Sequence, residues 1–273
     1  MKRRLLMFVL VALTLVEAPR AQEAGKRAPV AGARRNFVSC PIVRDTKTVP
    51  CFLAEWNGEV YFLGIQEDIG AAWFPPQLNH QVLVEGTIAD GPRVCGGIPL
   101  QPLVTSVLPE LDTACNTILP AEENIAAPTA RRGPGPSTEE RRAPLPAPSA
   151  AANAPAPAPP TAPKAFTLTF DFDNDFMPGR VTRIISDAVR YAKAANATRV
   201  SVVGYRATTL LSDGRPFVES PLIAERRAKK IETILLGLGI PATSLHVEWK
   251  KDAEPGDGVT DPQKRRVVIA VAP

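Results

Sequence analysis

The chain of 273 residues has only two histidines, His80 and His246, and neither lies in a recognisable catalytic or metal-ligating pattern. No pair of cysteines has C-x-x-C spacing, which argues against a zinc site of the common structural kinds. No G-x-x-x-x-G-K-[ST] run is present to cradle phosphates, and no nucleophile stands beside an evident base. These gaps leave an enzyme without visible machinery, and no cofactor is expected. A run of 18 or more apolar residues is also missing. The longest apolar stretch, Leu5 to Val16, spans twelve residues, whereas a bilayer takes about 20. There is no series of roughly ten-residue alternating strands, so no transmembrane barrel is expected in this chain. Nor is there an excess of one charge. The formal net charge is +4, and residues 1–21 carry Lys2, Arg3, Arg4 and Arg20 against Glu17, leaving about +1 for the rest. Without clustered positive charge, nucleic acid is not an expected partner.

What the N-terminus does have is Lys2, Arg3 and Arg4 ahead of that twelve-residue run, the pattern of a secretory signal. Cleavage is expected after Ala21, although Pro19 and Glu17 fit such a site poorly, and retention as an uncleaved anchor is the alternative. Cys40 lies too far downstream for Val38-Ser39-Cys40 to act as a lipobox. Export places the chain in the periplasm, with outer-membrane association a further expectation. It also makes disulfides available. The four cysteines, Cys40, Cys51, Cys95 and Cys115, allow three connectivities. Pairing of neighbours, Cys40 with Cys51 and Cys95 with Cys115, is the first choice.

The 29 prolines divide the chain. After the signal over 1–21, residues 22–36 read as a flexible leader and 37–120 as a small, mostly β, disulfide-bonded domain. Residues 121–164 end in Ala-Pro repeats that offer almost nothing to bury, so they read as a disordered spacer. At about 3.1 Å per residue it could reach on the order of 100 Å and hold two units apart. Residues 165–273 form the second domain.

In the first domain, Phe52–Trp56 and Glu59–Gln66 flank Asn57-Gly58, a strong hairpin signal. Gln81–Ile88 alternates Val82, Val84 and Gly86 against Leu83, Glu85 and Thr87, then meets Asp90-Gly91. Arg93–Val107 is strand-like but broken by Gly96-Gly97, Pro99 and Pro102, which predicts an edge or bulged strand. A short helix is expected over Pro109–Ile118. About five strands suggest a small barrel of OB or SH3-like type. The aromatics Phe52, Trp56, Tyr61 and Phe62 read as core before they read as a stacking platform. Trp73-Phe74-Pro75-Pro76 is the candidate binding loop.

From Phe166 the pattern becomes mixed. Phe166, Leu168, Phe170 and Phe172 alternate as a half-buried strand; Val181, Ile184, Ile185, Ala188, Val189 and Ala192 recur at helical spacing. Val200–Val203 is a buried strand, Pro221–Leu238 a second helix, and Ser244–Trp249 with Arg266–Val271 the last strands. The order β-α-β-α-β-β makes the whole chain α+β, with this unit a sandwich of helices on one sheet. Asp171, Asp173 and Asp175 read as a charged strand end, with calcium binding as the rival.

Four positions carry a family resemblance: Phe170-Asp171-Phe172-Asp173, Gly204-Tyr205-Arg206-Ala207, Ile223-Ala224-Glu225-Arg226-Arg227-Ala228 and Arg265-Arg266-Val267. In order and spacing, residues 165–272 resemble the OmpA-like, peptidoglycan-associating domain family. The resemblance implies binding of the diaminopimelate end of the stem peptide, with an aspartate on its ammonium and an arginine forked onto its carboxylate. Carried over by position, the arginine is Arg227, but the aspartate's place is Ala207. Asp213, on a longer loop with Gly214 and Arg215, could replace it, and Asp173 keeps an acid at the strand end. Alternatively, Arg206 and Arg227 together suit a more anionic group, or the pocket is degenerate and the domain docks other envelope proteins. Arg227 could also belong to a solvated face with Glu225, Arg226, Lys229 and Lys230. The expectation is a non-catalytic protein that tethers its N-terminal module to the wall.

Overall fold

A computed structural model describes residues 30–65, 75–122 and 159–273. The signal segment, most of the leader, Trp73-Phe74 and most of the Pro/Ala stretch lie outside the described residues.

Among the described residues the N-terminal unit contains seven strands rather than about five: β1 (Arg34–Ser39), β2 (Pro41–Arg44), β3 (Cys51–Trp56), β4 (Glu59–Ile65), β5 (His80–Ile88), β6 (Ile98–Leu111) and β7 (Thr117–Leu119). They form one sheet in the order β1-β5-β6-β4-β3-β2-β7. It curls, because Phe37 of β1 stacks on Trp56 of β3 at 5.6 Å, although three strands separate them in the order. Asn57 and Gly58 both take positive φ, 53° and 73°, and close the β3–β4 hairpin as their sequence predicts. Phe52 and Tyr61 are core residues beside Phe37, Leu63, Val82 and Val84.

Two expectations fail here. The helix over Pro109–Ile118 is absent, since β6 continues to Leu111 and pairs with β5 as far as His80. Tertiary pairing overrides the weak helical pattern, and a turn capped by the Asp112 side chain on the Ala114 N–H leads into β7. Of the edge or bulged strand expected over Arg93–Val107, the bulged form is present: β6 lies between β5 and β4, and its proline-rich start coincides with a register shift opposite Gly86/Ile88. The disulfides also differ from the first choice. Cys40 bonds Cys115 and Cys51 bonds Cys95, links that span 75 and 44 residues of sequence. Neighbours in sequence are parted because β2 pairs with both β3 and β7, which carries the turn of Cys115 to Cys40.

The C-terminal unit is β8 (Lys164–Thr169), α1 (Gly179–Ala194), β9 (Arg199–Gly204), a small hairpin of β10 (Thr208–Leu210) and β11 (Pro216–Val218), α2 (Ile223–Gly237), β12 (Leu245–Trp249), a single turn α3 (Asp261–Lys264) and β13 (Arg266–Ala272). The expected order is present, with the hairpin and α3 added. The sheet runs β12-β9-β13-β8, with β9 and β12 parallel and β13 antiparallel to both its neighbours. Helix α1 buries Val181, Ile185, Ala188, Val189 and Ala192 against β8 and β13, and α2 lies over β12 and β9. Close approach of α2 requires Gly204. A Cβ there would lie 2.2 Å from the Ala224 carbonyl oxygen.

The two units touch, where the spacer led us to expect separation. Strand β5 is buried on both faces, Val82 and Val84 in its own core and Leu83 and Glu85 toward the C-terminal unit. Leu83 and Leu108 pack with Phe172 and Leu211, bordered by Val38 and Phe217. At the centre Arg265 donates to Glu85 at 2.6 Å and to the Thr209 hydroxyl at 3.1 Å, and that hydroxyl donates to Glu85 at 3.2 Å. All three are buried. Around the rim, Asn36 donates to the Leu210 and Gly258 carbonyls, and Arg34 to those of Gly258 and Val259.

Candidate functional site

Helix α2 delivers Arg227. Its buried residues are Ile223, Ala224, Arg227, Ala228, Ile231 and Leu235, so the arginine stands on the apolar stripe, four residues from Ile223 and four from Ile231. It is not on a solvated face. The side chain is 0% exposed and so is that of its partner, Glu219. The guanidinium forks onto that carboxylate, Nη2 to Oε1 at 2.6 Å and Nη1 to Oε2 at 3.2 Å. Its remaining capacity goes to carbonyls: Nε to Asn174 at 2.9 Å, Nη2 to Asp171 at 2.8 Å and Nη1 to Tyr205 at 3.3 Å. The Phe170 ring lies 5.1 Å from its centre.

Glu219 follows β11 directly and is equally satisfied. Its Oε1 also accepts the Asp173 N–H at 2.9 Å, and its Oε2 the Ala207 N–H at 2.8 Å. Two buried charges that fill each other's hydrogen-bonding capacity can bear the loss of water that an unpaired charge could not. Position 207, where the resemblance puts the family's aspartate, contributes only backbone here, its N–H to the Glu219 carboxylate and its carbonyl to the Glu219 N–H at 3.1 Å. The carboxylate enters from the neighbouring hairpin and occupies the fork that an external carboxylate would need.

The other residues singled out in the sequence are spread around this pair. Asp213 sits in the β10–β11 turn and accepts from Arg215, N–H at 3.0 Å and Nε at 2.8 Å. Those bonds, the backbone one foremost, hold its carboxyl below the usual range. It does not reach Arg227. Asp173 is adjacent, with φ of 50°, and its Oδ1 accepts the Ser220 N–H at 3.0 Å. Partial burial raises its pKa, chiefly by desolvation and against that hydrogen bond. Arg206 turns away and donates to the Lys251 carbonyl at 3.2 Å. Asp175 is bound to Lys230 at 3.0 Å rather than grouped with Asp171 and Asp173 in a cation site. Asp171 is raised by burial, opposed first by Arg265 and then by Arg180 and Arg227.

Glu219 is the residue that the sequence reading missed. The one available signal was an acid closing the otherwise apolar run Pro216-Phe217-Val218, just before the second helix.

No family model matches the chain, and no curated protein matches it. The solved structures to which the chain is similar include three OmpA-like or MotB-like proteins. One is the OmpA-like domain of FopA1 from Francisella tularensis subsp. tularensis SCHU S4, at 20% identity over 41% of this chain and 73% of that one, with a TM-score of 0.31. Another is a MotB-like protein from Desulfovibrio vulgaris, at 13% identity over 40% and 75%, with a TM-score of 0.32. The third is the periplasmic domain of Helicobacter pylori MotB, at 17% identity over 40% and 74%, with a TM-score of 0.28. Among the described residues no helix is long and apolar enough to cross a membrane.

Proposed function

We propose that this is a non-catalytic envelope protein whose OmpA-like unit, as folded here, is a protein-docking scaffold rather than an open trap for the stem peptide. Export rests on the charged and apolar N-terminal pattern, and the two disulfides suit an oxidising compartment. One observation carries the docking reading: Arg227 is wholly buried and forked onto the chain's own Glu219. An external carboxylate would have to displace a buried ion pair and the two backbone N–H donors that it satisfies. The first protein surface docked by this unit is the chain's own N-terminal sheet, through Glu85 and Leu83.

Association with peptidoglycan is the second reading. It is favoured by the chemistry of the same site, since Arg227 stands at the family position and is still bound to a carboxylate. Co-sedimentation of the full chain with purified peptidoglycan separates the two. The docking reading expects the protein to remain in the supernatant at every wall concentration. Saturable pelleting that Arg227→Ala abolishes would replace it with wall association.

A further inference from the structure

The Arg227–Glu219 pair is built from two pieces of chain, and the N-terminal unit bears on both. The first piece is the irregular segment Asp171–Asn174. It supplies two carbonyl acceptors to Arg227, from Asp171 and Asn174, and the Asp173 N–H to Glu219. Lacking a strand partner, the middle of this segment is tied to the other unit. The Phe172 N–H donates to the Ser106 hydroxyl at 2.9 Å, and the Phe172 ring packs with Leu83 and Leu108. The second piece is the β10–β11 hairpin that carries Glu219. Thr209 of that hairpin donates to Glu85, and its register partner Phe217, two residues before Glu219, stacks on Phe172 at 4.5 Å. The sides of the pair are thus pressed together by one surface, formed by β5 and β6.

We infer that the docked N-terminal unit is a lock on the carboxylate fork of Arg227, and that undocking lets Glu219 withdraw and an external amino-acid or peptide carboxylate take its place. The segment and the hairpin have few backbone bonds of their own to hold them. The hairpin pairs over three residues on each strand. It is held to its own unit at its ends, by the Thr208 N–H on the Glu254 carbonyl at 2.8 Å and the Glu219 N–H on the Ala207 carbonyl at 3.1 Å, with the Leu210 N–H on Asp261 at 2.9 Å. The segment has one internal bond, Asn174 N–H to the Asp171 carbonyl at 3.3 Å. The part of Glu219 free to withdraw is therefore its side chain. Local openings are drawn from such weakly bonded pieces. A ligand that binds only the opened form must, in the unaltered protein, also supply the free energy of breaking the buried contact with the N-terminal unit, so it is captured only after undocking. This rests on the docking reading, in which the resting protein is closed.

The test uses the full chain with the interface broken from the N-terminal side, so that no C-terminal residue is changed. Glu85→Arg sets a second guanidinium against Arg265, and Leu108→Asp charges the apolar part of the same contact. Amide hydrogen exchange is read at Ala207 and Asp173, the two donors to Glu219, and at Val202 and Ile269 in the sheet core. The lock expects exchange at Ala207 and Asp173 to rise at least tenfold in both variants, while Val202 and Ile269 keep their protection. Meso-diaminopimelate added to the variants should then restore protection at Ala207, and not do so when Arg227→Lys is added. Unchanged protection at Ala207 and Asp173 in the variants overturns the lock, as does simultaneous loss of protection at Val202 and Ile269. Failure of the diaminopimelate to protect also overturns it. Pelleting of the unaltered protein with peptidoglycan would instead overturn the docking reading, so the two failures are distinct.

Discussion

Replacing Glu219 by alanine tests the closed site directly, and its cost can be worked from the contacts. The substitution leaves Arg227 charged and 0% exposed, with both Nη groups deprived of their carboxylate. Removing one member of a buried ion pair costs about 3–5 kcal/mol. The N–H groups of Ala207 and Asp173 lose acceptors as well, at about 1–3 kcal/mol each if they stay dry. Water entering the vacated space recovers part of this, which brings the expected loss to about 4 kcal/mol. Against a total stability of roughly 5–15 kcal/mol that is a large share. Urea unfolding followed by both circular dichroism and tryptophan fluorescence reads the loss, with coincident transitions required before a single free energy is assigned. Acetate at about 100 mM, against chloride at equal ionic strength, should raise the midpoint of the alanine variant and leave the parent unchanged, because only the variant offers an unfilled fork. A loss below about 1 kcal/mol, the range of an exposed salt bridge, would show that water reaches the pair and refute the reasoning.

Three further outcomes are expected. Non-reducing peptide mapping should recover Cys40 with Cys115 and Cys51 with Cys95, and replacing Cys40 and Cys115 by serine should cost about 4 kcal/mol on the chain-entropy estimate for a 75-residue separation. Gly204→Ala should destabilise by about 1–3 kcal/mol or more by thermal unfolding, since the added methyl meets backbone that cannot yield without moving α2 off β9. Asp171 has its folded pKa raised above the ordinary 3.8, chiefly by burial, so its ionised form costs stability above that raised value and the cost disappears below 3.8. Asp171→Asn should therefore raise the unfolding midpoint at pH 7, with the advantage shrinking to nothing as the pH falls below 3.8; an advantage independent of pH would exclude this cause.

Arg227 shows how far the site was legible. Its position in the second helix and its preference for a carboxylate could both be read from sequence. Its burial was also available, because Ile223, Arg227 and Ile231 share one stripe, but a run of charged neighbours hid it. The identity of the anion was not available. Asp213 and Asp173 were nearer to the expected geometry in sequence, yet the first is held by Arg215 in its own turn and the second by the Ser220 N–H. Glu219 wins because the hairpin reverses the chain and lays the residue after β11 beside the end of β9. Strand β5 carries a similar lesson. Its alternation was correct, but nothing local shows that the face bearing Leu83 and Glu85 is covered, because its partners run from Phe172, 89 residues after Leu83, to Arg265, 180 residues after Glu85.

The sequence alone determined the order of elements in the C-terminal unit, the Asn57-Gly58 hairpin, and the presence of an arginine able to grip a carboxylate. These follow from local periodicity, from turn residues that accept positive φ, and from side-chain chemistry. Only the tertiary structure decided which cysteines pair, which acid meets Arg227, and that Arg265 closes on Glu85 across the two units. Those pairings depend on how strands distant along the chain are ordered in a sheet, and on which charges lose water together when surfaces meet.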